Sequence, residues 1–294
     1  MPETTPETRF LKIQPQRHLA YCEYGDPHGR PVFYFHGTPG SRLEPALGNQ
    51  AGSKHGFRII ALDRPGVGAS TYYRGRRLLD WPQDVRAAAS QLEIDRFGVM
   101  GFSGGGAYAL ACGYDLAQLV DFVVLLGSWG PVAEKPSLWG QMAPLDQFFG
   151  RLSGSAALAF SLPFSLLGLA AKWLSPRGFV ITLNSSLSEP DRDLLDDQST
   201  ARFFARDIRE AFAQGSWGPA DDAIILYQTW GFAVQEVSAP VSLYHGTVDK
   251  FAPYPLALHL DDQLPDSQLH AFPGQGHLFV IKRFDRIFQD LAGI

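Results

Sequence analysis

Short, almost uninterrupted apolar runs alternate with amphipathic stretches over the first 126 residues of this chain. Phe10–Ile13 and His18–Tyr24 read as two strands around the turn Pro15-Gln16, a hairpin leading into the fold. After the turn Gly25–Gly29, buried strands are expected at Pro31–Phe35, Phe57–Leu62, Phe97–Phe102 and Asp121–Leu126. Between them, Trp81–Leu92 has a helical pattern, with Asp80 as N-cap and Pro82 in the first turn. Ala107–Cys112 is a second helix, rich in Ala and Leu. Strands apolar along their whole length, alternating with helices, predict a mostly parallel sheet covered on both faces. From Pro131 to Val237 the alternation stops, and Pro, Gly, Trp and Phe are scattered through helical stretches. One helix there is well marked, with Ser188 as N-cap, Pro190 and Asp191 in the first turn, and an amphipathic continuation towards Phe212. The alternation resumes with strand Pro240–His245, helix Tyr254–Gln263, strand Gln268–Phe272 and a closing helix Leu278–Ala292. The expected organisation is an α/β core made of residues 1–130 and 238–294, interrupted by a helical insertion at 131–237.

Composition narrows the class. Of 294 residues, 45% are apolar and 19% charged, which suits a globular chain with a substantial core. The net charge of −5, with acids and bases interspersed, lacks the basic stripe that a nucleic-acid partner requires. Two cysteines, Cys22 and Cys112, cannot build a disulfide framework, and Cys112 reads as a small buried hydrophobe. No basic region followed by an apolar core is visible at the start, so the expected setting is the cytoplasm. Leu152–Ala171 carries no charge, but Pro163 lies at its centre. A proline there should break one continuous helix, so buried or pocket-lining helices are expected rather than a membrane span. Contact with a membrane surface stays open. The pentapeptide Gly-Ser-Trp-Gly-Pro at 127–131 recurs at 215–219 with no similarity around the copies, which marks coincidence rather than a repeat.

The chemistry is concentrated where Phe97–Phe102 passes into the next helix. Gly101-Phe102-Ser103-Gly104-Gly105 is G-x-S-x-G in a strand–turn–helix context, the nucleophile elbow. The turn strains the serine, and glycine flanks it because a Cβ would collide with neighbouring main chain. A serine hydroxyl needs a base to take its proton and a third group to orient that base. A parallel sheet would gather such groups at the ends of later strands. Asp249 follows the strand that ends at His245, and His277 follows the one that ends at Phe272. His36 and His245, each before a glycine at a strand end, read as structural, and Asp63-Arg64 as a pair fixing a loop. No metal-ligand motif or phosphate-loop lysine is present, so neither metal nor cofactor is expected.

The order Ser103…Asp249…His277, together with His36-Gly37-Thr38-Pro39-Gly40 and Asp63-Arg64-Pro65-Gly66-Val67-Gly68-Ala69-Ser70, resembles the α/β-hydrolase superfamily from Val32 to Phe272. That resemblance implies an α/β-hydrolase fold whose helical lid is the insertion at 131–237. It implies Ser103 as nucleophile, His277 as base and Asp249 as its orienting acid, with Thr38 and Gly104 backbone N–H groups forming the oxyanion hole. The expected activity is a carboxylesterase-type cleavage of a small to medium, fairly apolar small-molecule substrate through an acyl-enzyme. Phe148, Phe149, Phe160, Phe164, Leu166 and Trp173 would give the lid hydrophobic walls. The same apparatus serves peptidases, lactonases, C–C bond hydrolases and cofactor-free haloperoxidases. Proline aminopeptidases of the superfamily usually carry His-Gly-Gly-Pro-Gly and acidic lid residues for the substrate amine, and Thr38 departs from that loop. A binding protein on the same scaffold is the alternative of another class, and an intact triad argues against it.

Overall fold

A central sheet with strand order β1-β2-β4-β3-β5-β6-β7-β8 carries the chain, in a computed structural model that describes residues 6–153 and 157–293. The strands are β1 (Arg9–Gln14), β2 (Arg17–Gly25), β3 (Arg30–Phe35), β4 (Phe57–Leu62), β5 (Phe97–Phe102), β6 (Val120–Leu126), β7 (Val241–Gly246) and β8 (Ser267–Phe272). The β1–β2 and β2–β4 pairings are antiparallel and all others are parallel. The helices are α1 (Asn49–Lys54), α2 (Trp81–Gln91), α3 (Gly105–Asp115), α4 (Pro136–Trp139), α5 (Pro144–Ser153), α6 (Ala157–Trp173), α7 (Pro176–Thr182), α8 (Glu189–Asp196), α9 (Gln198–Ala211), α10 (Trp217–Leu226), α11 (Tyr254–Gln263) and α12 (Phe284–Leu291).

The continuous apolar runs are explained by two cores, one on each face of the sheet. Along β3, Phe33 and Phe35 pack with Val85 and Ala88 of α2 and with α3, whereas Val32 and Tyr34 pack with Ala51 of α1 and with Ile287 and Phe288 of α12. Alternate residues thus feed opposite cores, and polar side chains of the inner strands such as Arg58 and Asp121 lie near strand starts. All six residues of β5 are buried. At ~1.5–3 kcal/mol for each large apolar side chain, that burial makes the elbow strand one of the most firmly held segments.

Between β6 and β7 lie α4 to α10, and no strand occurs there among the described residues. Three expectations for this region and the C-terminus need correction. The helix predicted from Ser188 towards Phe212 is two helices, because Asp197 adopts an extended backbone and its carboxylate caps α9 by accepting from Thr200 N at 2.8 Å. The closing helix is likewise divided, into a 3-10 turn over His277–Lys282 and α12. Pro163 lies inside α6 and does not end it. The ring removes only one backbone donor, and Ser165 Oγ bonds back to the Ser161 carbonyl at 3.0 Å across the next turn. No helix among the described residues is long and apolar enough to cross a membrane.

Candidate active site

β5 delivers Ser103 to the carboxyl edge of the sheet in a left-handed backbone conformation, φ 53°. Ser103 N donates to the Leu126 carbonyl at 2.8 Å, and its carbonyl accepts from Gly106 N and Trp129 N, which over-determines the strained turn. A Cβ at Gly101 would strike the Gly105 carbonyl, and one at Gly105 would strike the Phe35 carbonyl. These two glycines let strand and helix approach closely enough to make the turn.

Asp249 and His277 stand on the loops after β7 and β8. Asp249 Oδ1 accepts from Phe251 N at 2.8 Å and Ala252 N at 2.9 Å, and Oδ2 pairs with His277 Nδ1 at 2.7 Å. An acceptor-only carboxylate at Nδ1 places the proton there and leaves Nε2 as the basic nitrogen. Ser103 and His277 line the same cavity. Nε2 and Ser103 Oγ have no hydrogen-bond partner among the described residues, and both face the cavity that they line. Burial opposes the charged imidazole, but Asp249, with help from Asp191 and Glu44, outweighs it and raises the His277 pKa. Gly127, just after β6, leaves room for the Asp249–His277 pair, which a Cβ there would crowd.

The backbone N–H of Thr38 and that of Gly104, the N-cap of α3, donate to no group among the described residues. A Cβ at Gly104 would meet the Thr38 side chain, and both residues line one cavity with Ser103, Gly104 at the positive end of α3. The Thr38 loop is held from below by Arg64, which is fully buried. Its NH1 donates to the His36 carbonyl at 2.5 Å, and NH2 donates to the Gly37 carbonyl at 2.9 Å and to Thr38 Oγ1 at 3.1 Å. Its Nε donates to Asp222 of α10 at 2.7 Å, and Asp222 also takes Arg76 and the Tyr108 hydroxyl.

Asp63 and Arg64 fix loops, but not as a pair. Asp63 turns instead to Arg42, at 2.5 Å from NH1, and to Ala69 N at 3.0 Å. His36 and His245 are structural, as expected: His36 Nδ1 lies 2.8 Å from the Gly37 carbonyl and accepts Arg64 N at Nε2, and His245 Nε2 reaches the Ala252 carbonyl at 2.7 Å. Burial lowers the pKa of both.

Three further carboxyls stand around the site, Asp191 and Asp207 buried and Glu44 partly so. Asp191, in the first turn of α8, accepts from His277 N at 3.0 Å, from Leu278 N at 2.8 Å and from Ser188 Oγ at 2.6 Å. Ser188 is the N-cap residue of α8, as expected, but its hydroxyl bonds to Asp191 instead of to a backbone N–H of the helix. Glu44 accepts from the Tyr34 hydroxyl at 2.5 Å and from Gly37 N at 2.9 Å. Asp207 of α9 accepts from Ser41 N and Oγ, while its Oδ2 has no partner among the described residues. Burial raises the pKa of both Glu44 and Asp207, and their mutual repulsion adds to the rise at Asp207. Apart from Ser188, each partner lies on a different element, so no local sequence signal reveals these roles.

Two cavities meet at Thr38, Ser103, Leu167 and Phe251. One, of about 150 Å³, is walled by Leu47, Phe102, Phe179, Phe204 and Ile208, with Glu44 and Asp207 as its acids. The other, of about 650 Å³, runs under α5, α6 and α10 past Trp129, Phe149, Phe164 and Tyr227. Of the aromatic and aliphatic walls expected in the insertion, Phe149 and Phe164 line this cavity, but Phe148, Leu166 and Trp173 face outwards. Helical phase is the reason, because 164 and 167 share the inner face of α6 and 166 and 173 the outer. The Phe160 side chain lies outside the described residues.

Comparison with known proteins places this arrangement. The family model described as the alpha/beta hydrolase fold matches residues 30–284. A proline iminopeptidase of Xanthomonas citri is 25% identical over 300 residues, covering 94% of this chain and 92% of its own length. A probable proline iminopeptidase of Leptolyngbya boryana is 32% identical over 292 residues, covering 92% of this chain and 88% of its own. Among solved structures, a bromoperoxidase from Bacillus anthracis superposes with a TM-score of 0.75 at 20% identity over 98% of this chain and 100% of that one. The last is a likeness of fold alone.

Proposed function

Because the chain belongs to the alpha/beta hydrolase fold family, we propose that it is a serine hydrolase cleaving a carboxylic ester of a small, mostly apolar substrate through an acyl-enzyme. The observation that carries this reading is the 2.7 Å bond that orients His277 behind the elbow serine, at the mouth of an apolar cavity. In this reading His277 Nε2 takes the Ser103 proton as Oγ attacks the carbonyl carbon. The oxygen that becomes anionic enters the space between the Thr38 and Gly104 amides, where one such donor supplies about 10²–10³ in rate. The same Nε2 then returns the proton to the leaving group, and water repeats the sequence on the acyl-enzyme while Asp249 stabilises the imidazolium throughout. The helical insertion of residues 131–237 acts as the lid that selects the substrate.

Glu44 and Asp207 favour a second reading. An apolar ester has no use for two carboxyls lining its cavity, whereas an amide or peptide whose acyl part carries a free amine would be held by them. The names of the proline iminopeptidase relatives agree with that alternative. One experiment tests both. Ser103 should be labelled by a fluorophosphonate, and p-nitrophenyl esters of increasing acyl length should be hydrolysed by the wild type and not by Ser103→Ala. An unreactive wild type sinks the hydrolase reading. If aminoacyl arylamides are cleaved better than esters, and Asp207→Asn removes only the arylamide activity, the second reading replaces the first.

A further inference from the structure

Helix α6 is apolar on two opposite faces, and only one of them is used by the fold. On the inner face Ala171 is fully buried, Gly168 packs against Phe212, and Leu167 lines both cavities. The outer face repeats at i, i+4, i+7 and i+11 as Leu162, Leu166, Leu169 and Trp173, which are 61%, 61%, 52% and 75% exposed. Single exposed hydrophobics are ordinary, but four in one continuous stripe on a helix are not. Leu174 carries the stripe beyond the helix end.

Charge indicates what covers this face. Residues 147–188 contain Arg151, Lys172 and Arg177, all exposed, and no Asp or Glu, in a chain whose net charge is −5. The Lys172 ammonium lies 5.4 Å from the Trp173 ring centroid, joining a base to the aromatic most at home between water and hydrocarbon. We propose that the outer face of α6 lies on an anionic lipid surface, with Leu162, Leu166, Leu169 and Trp173 in the headgroup–acyl boundary and the three bases on the headgroups. The helix lies in the plane of the surface, since none among the described residues can cross it. A second copy of the chain is the poorer occupant. A two-fold contact would press the same three bases against themselves, whereas anionic headgroups neutralise them.

The test is co-sedimentation of the full chain with phosphatidylcholine vesicles, with and without phosphatidylglycerol. Binding should be at least about tenfold tighter to the mixed vesicles, because each of several basic residues near an anionic surface contributes severalfold. Raising the salt should abolish that difference. The variant Leu162→Ser/Leu166→Ser/Leu169→Ser/Trp173→Ala should lose binding to both vesicle types while keeping its far-ultraviolet circular dichroism. Should that variant not fold, Trp173→Ala alone should weaken binding, and Lys172→Glu with Arg177→Glu should abolish the lipid preference. Equal binding to both vesicle types, or unchanged binding of the variants, overturns the proposal. So does a dimer in sedimentation equilibrium that the substitutions dissolve while the wild type ignores vesicles. None of these readouts depends on the chain's activity, so the proposal stands or falls apart from the hydrolase reading.

Discussion

Replacing Asp191 by asparagine preserves the shape of a carboxyl that lines neither cavity at the site but grips the backbone on either side of the His277 side chain. The native oxygens accept from His277 N, Leu278 N and Ser188 Oγ, and Asp191 is fully buried. Asparagine offers one acceptor where the site needs two, so one buried N–H is left facing an amide NH₂. Such an unsatisfied group costs ~1–3 kcal/mol. For a chain of this length that corresponds to a melting temperature lower by roughly 2–6 °C. A second effect is electrostatic. Asp191 is one of the charges that raise the His277 pKa, so its neutralisation should let that pKa fall. The base must be neutral to accept the serine proton, and wild-type activity should therefore rise through a pKa above 6.5. In Asp191→Asn this acid limb of kcat/KM should move to lower pH, while kcat on the plateau drops and KM changes little. A stability curve behaves oppositely. The raised His277 pKa contributes stability present below the unfolded value and lost as pH rises through the folded one, so that contribution should shrink in the variant. Thermal melts and a pH–rate profile on a p-nitrophenyl ester measure the two effects separately. A lowered melting temperature with an unmoved acid limb would reduce Asp191 to a structural clamp and refute the electrostatic part of the argument.

Other residues give sharper losses. Asp249→Asn removes the acceptor that fixes the His277 tautomer and should lower kcat by about 10⁴, read by steady-state kinetics at intact melting temperature. Arg64→Lys keeps a charge for Asp222 but cannot reach the His36 and Gly37 carbonyls at once. It should destabilise the fold by about 3 kcal/mol and lower kcat by about 10² through a slackened Thr38 amide, with denaturant titration and ester kinetics as the measurements. Asp222→Asn addresses acid stability. Burial alone would raise this carboxyl, but Arg64 and Arg76 outweigh it and hold it at about 2. Its stability contribution, about 2 kcal/mol by linkage, is present above the ordinary value of 3.8 and lost as pH falls through about 2. The gap between wild type and variant in denaturant titrations should therefore be wide near neutrality and narrow in that window; a gap independent of pH would show that the ion network does not hold Asp222 charged.

The core strands could be read from the sequence because each is buried on both faces, so apolar runs and strands coincide. The elbow could be read because its turn demands glycine at 101 and 105, and that demand is local. What escaped reading was set by contacts between elements far apart in sequence. Ser188 followed three residues later by Asp191 looks like the start of any helix, and only the approach of α8 to the β8 loop turns the acid towards His277 N. Adjacency suggests Asp63 and Arg64 as a pair, yet in the loop leaving β4 neighbouring side chains point apart. One therefore finds Arg42 and the other Asp222.

Helix α6 shows how far pattern alone can mislead. A stretch with leucine or phenylalanine on every side has no polar face to announce its orientation, so its pattern sends Leu166 and Trp173 inwards with Phe164. The phase of the helix against α9 and α10 decides between them: Gly168 must face Phe212, which turns Leu167 into the cavities and Leu166 and Trp173 to the outside. That rotation removes two large side chains from the substrate's surroundings and leaves Glu44 and Asp207 as the distinctive chemistry of the smaller cavity. In the proposed reaction, which bond is cleaved therefore turns less on the apolar walls than on whether the substrate carries a group that these two carboxyls can hold.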